Sequence, residues 1–153
     1  MNKKVFFSFH YELDSWRVNQ VRNMGIVEGQ RICEPNEWEK IKQQGDKNIE
    51  KWIDDNMKKC DCVIVLIGEK THERKWVRYE VQRAKEIKKP VFGIFIHILI
   101  GKDSRMANKG QNVFDIYAYE PENYNEIREK LGVWIENQCN LFRHKHTLPT
   151  ERD

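Results

Sequence analysis

The chain reads as an α/β domain organised around a mostly parallel sheet of about four or five strands. Three observations predict this. Val63-Ile64-Val65-Leu66-Ile67 is an apolar run without polar alternation, and Val91 to Ile98 is another, broken by Gly93 and His97. Such runs suit parallel strands covered on both faces. Between them lie helical periods, with Ile49, Trp52, Ile53 and Met57 at i, i+3, i+4 and i+8. The 153 residues, 39% hydrophobic and 33% charged, fit one soluble domain with one core.

In chain order, Val5 to Ser8 is the first strand. Asp14 and Ser15 offer a cap for a short helix from Trp16 to Met24. Gly25 to Gly29 is irregular, with room for a brief second strand. Asn36 and Glu39 form a capping-box pattern before Trp38, and Asp46 can cap the helix that carries Trp52. The strand from Cys62 to Ile67 ends at Gly68. The Trp76 helix ends at Lys88-Lys89, two cations suited to a helix C-terminus, and Pro90 stops it. Gly101 to Asn112 is polar and reads as a flexible loop. A last short strand falls within Val113 to Tyr119. Asn123 to Phe142 is an amphipathic helix presenting Ile127, Leu131, Trp134, Ile135 and Cys139. Residues beyond Arg143 read as frayed. The expected division is therefore a domain over 1–143 and a flexible tail over 144–153. No internal repeat is evident.

Composition excludes several classes. A net charge of +3, with cations and anions interspersed, does not suit nucleic acid or an anionic membrane. No apolar run approaches the ~20 residues that span a bilayer. Met1-Asn2-Lys3-Lys4 leads directly into Val5-Phe6-Phe7 without the pattern of a secretory leader, so a cytoplasmic location is expected. Cys33, Cys60, Cys62 and Cys139 are then expected to be thiols. Cys60-Asp61-Cys62 is not a zinc spacing. Its two thiols, on one face of a strand, read as small buried groups. His144-Lys145-His146 has no further ligand at suitable spacing, so no metal site is expected.

In parallel sheets ligands bind outside the carboxyl ends of the strands. That rule selects Phe9, His10, Tyr11 and Asp14 after the first strand. After the central strand it selects Gly68 to Thr71, leading to Trp76 and Glu80, and after the next the loop from His97 to Asn112. Glu80 is the anomaly. Trp76, Val77, Val81, Ala84 and Ile87 share one helix face at ~100° per residue, and Glu80 falls inside that apolar arc. Desolvation disfavours a charge there unless it is paired or faces a cavity. Pairing with Arg83 and a favourable position near the helix start are the two structural alternatives.

Common uses of this architecture are missing. There is no G-x-G-x-x-G, no G-x-x-x-x-G-K-[ST] and no G-x-S-x-G. The loop after the first strand has no glycine to cradle a flavin phosphate. What remains is aromatic, with one carboxylate. Glycosidases need a second carboxyl group to protonate the leaving oxygen. Nicotinamide leaves oxidised NAD as a neutral molecule, so no general acid is required and one Glu in a dry aromatic pocket can suffice for that bond. Against this, Phe6, Phe7 and Phe9 suit the core, Trp76 suits packing, and His10 suits a hydrogen-bonded rim position.

The segments Lys4 to Tyr11 with Asp14, Arg17 to Asn23, Trp38 to Lys42, Ile49 to Asp54, Val63 to Gly68, Lys75 to Glu80 and Gly93 to His97 together resemble the TIR-like domains first grouped as uncharacterised flavodoxin-like proteins. The resemblance extends to about Asp115. That family includes the TIR subunit of the Thoeris anti-phage defence system. The resemblance implies a flavodoxin-like, three-layer fold with about five strands. It implies that W-x-x-x-E, at Trp76 and Glu80, is the TIR catalytic segment, with Glu80 required for NAD glycohydrolase or cyclase chemistry. Phe9, His10 and Tyr11 would border the active site, with Asp14 and Trp76 as further substrate-binding residues. NAD would be substrate, with no resident cofactor. A cyclic ADP-ribose isomer would be the messenger to a separate effector protein, after a phage-derived trigger and with a homo-oligomer as the working form. Lys75 and Val77 stand where many TIR domains carry Ser or Cys beside the Trp. Two other functions fit the residues: a TIR-like adaptor without chemistry, and a nucleoside deoxyribosyltransferase-like enzyme that also uses one Glu.

Overall fold

The computed structural model describes residues 3–30 and 35–151. These residues form five strands and five α-helices: β1 Lys4–Ser8, α1 Tyr11–Arg22, β2 Glu28–Gly29, α2 Pro35–Gln43, α3 Asp46–Lys58, β3 Cys62–Ile67, α4 Lys75–Glu86, β4 Val91–Phe95, β5 Ala118–Tyr119 and α5 Tyr124–Glu151. The strands form one sheet in the order β2-β1-β3-β4-β5, and every pairing is parallel. This is the flavodoxin-like, TIR-like arrangement of three layers.

Alternation along the strands sorts the core into two faces. On one, Val5, Phe7, Cys62, Ile64 and Leu66 pack with residues of α1 and α5. On the other, Phe6 and Val63 meet Ile49, Ile53 and Met57 of α3, while Val65 and Ile67 meet Val77 and Val81 of α4. All six residues of β3 are buried, which accounts for its unbroken apolar sequence.

Several expected boundaries move. α1 begins at Tyr11, capped by His10, whose Nδ1 accepts from the Leu13 N–H at 3.1 Å. Asp14 is thus inside the helix, not its cap. Asn36 likewise lies inside α2 rather than ahead of it. Gly45, not Asp46, holds the N-cap position of α3. α4 stops at Glu86 because Lys88 turns into the left-handed region at φ 59°, and Lys89 N–H bonds back to the Ala84 carbonyl at 2.9 Å. β4 ends at Phe95, where the chain turns and Leu99 N–H reaches the Ile96 carbonyl. α5 continues past Phe142 to Glu151, taking in Pro149 near its end. Cys60 and Cys62 face opposite ways. Cys60 precedes β3 and packs against the α3 layer, whereas Cys62 joins the α1/α5 layer beside Cys139. Cys33 lies outside the described residues. Among the described residues no helix is long and apolar enough to cross a membrane.

The 101–112 segment, expected to be a flexible loop, is irregular but anchored. Buried Arg17 donates from Nε to the Leu99 carbonyl at 2.8 Å and from Nη2 to the Arg105 carbonyl at 2.9 Å, and pairs with buried Asp14 at 3.3 Å. Asn108 N–H donates to Glu69 Oε1 at 2.9 Å. Gly110 lies against the Gly68 carbonyl oxygen, and Gly68 against the Asp14 carboxylate; neither place admits a Cβ. Arg17 thus ties two strand ends together through one side chain. Arg17→Met keeps the bulk but strands Asp14 and two carbonyls. It is expected to cost about 3–5 kcal/mol, read from urea denaturation, and to accelerate amide exchange at Ala107 and Asn108. Unchanged exchange there would remove Arg17 from this role.

Candidate active site

The site forms where β1 ends and α4 begins. A single 3₁₀ turn at Thr71–Glu73 connects β3 to α4, and buried Thr71 Oγ1 accepts from the Gly68 N–H at 2.8 Å. Arg74 then adopts an extended N-cap conformation, and the helix starts at Lys75. Val77, Val81 and Ala84 are driven into the sheet, which rotates Glu80 towards the carboxyl end of β1. There Ser8, fully buried, donates from Oγ to Glu80 Oε1 at 2.5 Å.

The Glu80 carboxylate opens into a cleft of about 730 Å³, counting the space at its mouth. The walls are mainly aromatic: Phe9, Tyr11, Trp38, Trp52 and Trp76. Trp38 and Trp52 meet edge to face at 6.0 Å, and Phe9 and Tyr11 tilt together at 6.3 Å. Glu80 keeps partial solvent access through the cleft, but protein surrounds its carboxyl group. Burial pushes its pKa from 4.5 up to about 8, against the opposing pull of the Ser8 hydrogen bond. Burial dominates because one neutral donor replaces only part of a carboxylate's hydration.

The two structural alternatives for Glu80 do not match its surroundings. Arg83 is committed elsewhere, to Asp54 at 3.1 Å and Glu86 at 3.5 Å. Asp54 also accepts from the Tyr79 hydroxyl at 3.2 Å. Nor is Glu80 in the first turn of α4, which carries no acidic residue.

The structure brings four of the sequence-selected residues together on this cleft: Phe9, Tyr11, Trp76 and Glu80. His10 and Asp14 do not line it. His10 caps α1, and burial together with nearby Arg74 holds its imidazole below its usual pKa. Asp14 belongs to the Arg17 anchor; burial raises its carboxyl, Arg17 opposes that, and Oδ2 has no hydrogen-bond partner. Trp76 serves twice, packing against the α3 layer while its ring borders the cleft. Ser8, Gln30, Trp38, Trp52 and Arg74 were not selected from sequence. Only Ser8 carried a signal, its place at the end of the first strand. Trp38 and Trp52 reach the cleft from α2 and α3, whose positions no strand-end rule specifies.

A parallel five-stranded sheet in this order is the flavodoxin-like arrangement to which TIR-like domains conform, and here a carboxylate from the helix after β3 faces the end of β1. Residues 6–99 match the family described as Thoeris protein ThsB, TIR-like domain, and the chain belongs to that family. A Bacillus cereus (strain MSX-D12) protein named "Putative cyclic ADP-D-ribose synthase ThsB1" is 34% identical over 125 residues. That match takes in 78% of this chain and 65% of the relative, less than two thirds of the latter's length.

Because burial raises the Glu80 pKa, the folded protein holds this proton more tightly than the unfolded chain. The corresponding stability is complete below about pH 4.5 and is lost as pH climbs to about 8. Glu80→Gln removes the ionisable group. At pH 8.5 the variant is expected to exceed the wild type in unfolding free energy by up to about 5 kcal/mol, with the difference vanishing near pH 4.5. Chemical denaturation across that range measures it, and a variant less stable than wild type at pH 8.5 would contradict the assigned burial.

Proposed function

We propose that the chain cleaves NAD at the nicotinamide–ribose bond and closes the remaining ADP-ribose into a cyclic product. The observation that carries this reading is the half-buried Glu80, held by Ser8 in an aromatic cleft and forming no ion pair with a cation among the described residues. Membership in the Thoeris TIR-like family and the name of the Bacillus relative support the same direction.

The chemistry follows from charge. As the C1″–N bond breaks, its electron pair passes to the pyridinium nitrogen and neutral nicotinamide departs. Positive charge develops on the ribose ring. An ionised Glu80 in low-dielectric surroundings stabilises that charge more than water does. Aromatic walls accept the flat rings and exclude water. A nucleophile of the substrate itself then bonds to C1″ and releases a proton, giving a ring; water in its place gives ADP-ribose. The cationic pyridinium also favours the ionised carboxylate, so substrate lowers the Glu80 pKa.

In this reading the cyclic product is a messenger to a separate effector protein. A phage-derived trigger and a homo-oligomeric working form belong to the same proposal, as does a cytoplasmic setting. The decisive assay compares wild type and Glu80→Gln in extracts of phage-infected cells, with nicotinamide and cyclic ADP-ribose followed by mass spectrometry. Nicotinamide release should fall by roughly 10²-fold or more in the variant. Full activity in Glu80→Gln would refute the mechanism, and base exchange on deoxynucleosides with indifference to NAD would identify a deoxyribosyltransferase instead. In the wild type the acid limb of kcat/KM should lie near pH 8, and that of kcat below it. Coincident limbs would mean that substrate does not act on the Glu80 charge.

A further inference from the structure

The cleft has an electrostatic mismatch with its proposed substrate. Two carboxylates line it, Glu12 and Glu80, and one cation, Arg74. A dinucleotide brings a diphosphate with two negative charges, which those carboxylates repel. Other cations near the start of α4 are occupied: Lys75 Nζ bonds to Asp46 at 2.8 Å, and Arg78 Nη1 donates to the His72 carbonyl at 2.8 Å.

Arg74 is placed differently. Its backbone is pinned, with N–H bonded to the Thr71 carbonyl at 3.1 Å and its carbonyl accepting from Arg78 N–H at 3.2 Å. Its guanidinium stands at the cleft mouth, with Nη2 3.7 Å from Glu12 Oε1, and the two side chains are 42% and 70% exposed. A pair so open and so long contributes little and is easily exchanged. Arg74 also holds the N-cap position of the 12-residue α4 and makes no side-chain cap bond. A guanidinium on a fixed backbone can offer two parallel N–H donors to phosphate oxygens, and the helix start favours negative charge at the same place.

We infer that Arg74 binds the diphosphate of the dinucleotide substrate, and that Glu12 is a competing carboxylate from which the guanidinium must be released. This rests on the NAD reading of the cleft. It makes substrate entry an exchange of partners: one carboxylate oxygen is given up for phosphate oxygens. It also assigns discrimination between the dinucleotide and its uncharged nucleoside fragment to one side chain.

The test measures Kd by calorimetry for NAD and for nicotinamide riboside, which keeps the glycosidic bond and lacks the diphosphate. Arg74→Gln should weaken NAD binding by about tenfold or more while changing the riboside far less. Arg74→Lys should recover part of the loss. Glu12→Gln should tighten NAD by about two- to fivefold, with the gain shrinking at high salt. Equal weakening of both ligands by Arg74→Gln would show that Arg74 only shapes the cleft, and unchanged NAD binding would show that it has no role; either result overturns the inference. If Glu80→Gln still abolishes nicotinamide release, the cleavage reading survives that failure. A wild type that binds no NAD overturns both.

Discussion

The central strand imposes the constraint on which everything else depends. β3 is hydrogen-bonded on both edges and buried on both faces, so its residues must be apolar and its neighbours must be helices. Parallel pairing then places the carboxyl ends of β1, β3 and β4 along one rim. Polar side chains from three separate connections meet there. Glu80, Arg17, Asp14 and the 101–112 segment all belong to that rim, yet they divide into two groups on opposite faces of the sheet. One group, around Arg17, is fastened and buried. The other, around Glu80, is open and aromatic. The same topology thus supplies an anchor and a cleft from adjacent strand ends.

Glu80 shows how the cleft departs from what stability alone would select. An apolar residue would fit the same arc of α4, beside Val77 and Val81. The carboxylate instead has one short hydrogen bond, from Ser8, and a partial path to solvent. Neither fully compensates for lost hydration, and the group is poised between protonation states near neutral pH. Such poise is what an acid–base or electrostatic role requires. An Arg paired directly with the carboxylate would have stabilised the ion and removed that poise. Arg83 lies against Asp54 instead, so its charge does not reach Glu80 as an ion pair.

Much of the fold was legible because burial writes itself into sequence directly. β3 has no polar residue, and Val77, Val81 and Ala84 keep helical spacing. The helix starts were less legible. Asp14 resembles a cap, but its carboxylate is needed beside Arg17, and His10 takes the cap instead. That is a tertiary demand overriding a local preference. The cleft was legible where it follows strand ends: Phe9, Tyr11 and Glu80. It was illegible at Trp38 and Trp52, because their arrival depends on how α2 and α3 lean across the sheet. The anchored loop was missed for a related reason. Its polar, glycine-containing sequence is that of a mobile segment, and the residue that holds it, Arg17, lies about ninety residues earlier.

The side chain of Gln30 has a further consequence. β2 is only two residues long, and Gln30 follows it directly. Gln30 holds the edge of β1 itself: its Oε1 accepts from Phe7 N–H and its Nε2 donates to the Phe7 carbonyl, both at 2.8 Å. An amide side chain thereby stands in for a strand residue. Gln30 also lines the aromatic cleft, so the same side chain holds the end of β1 and forms part of the cavity wall. A residue there that cannot both accept and donate would loosen β1 next to Ser8, the donor to Glu80, without touching the core.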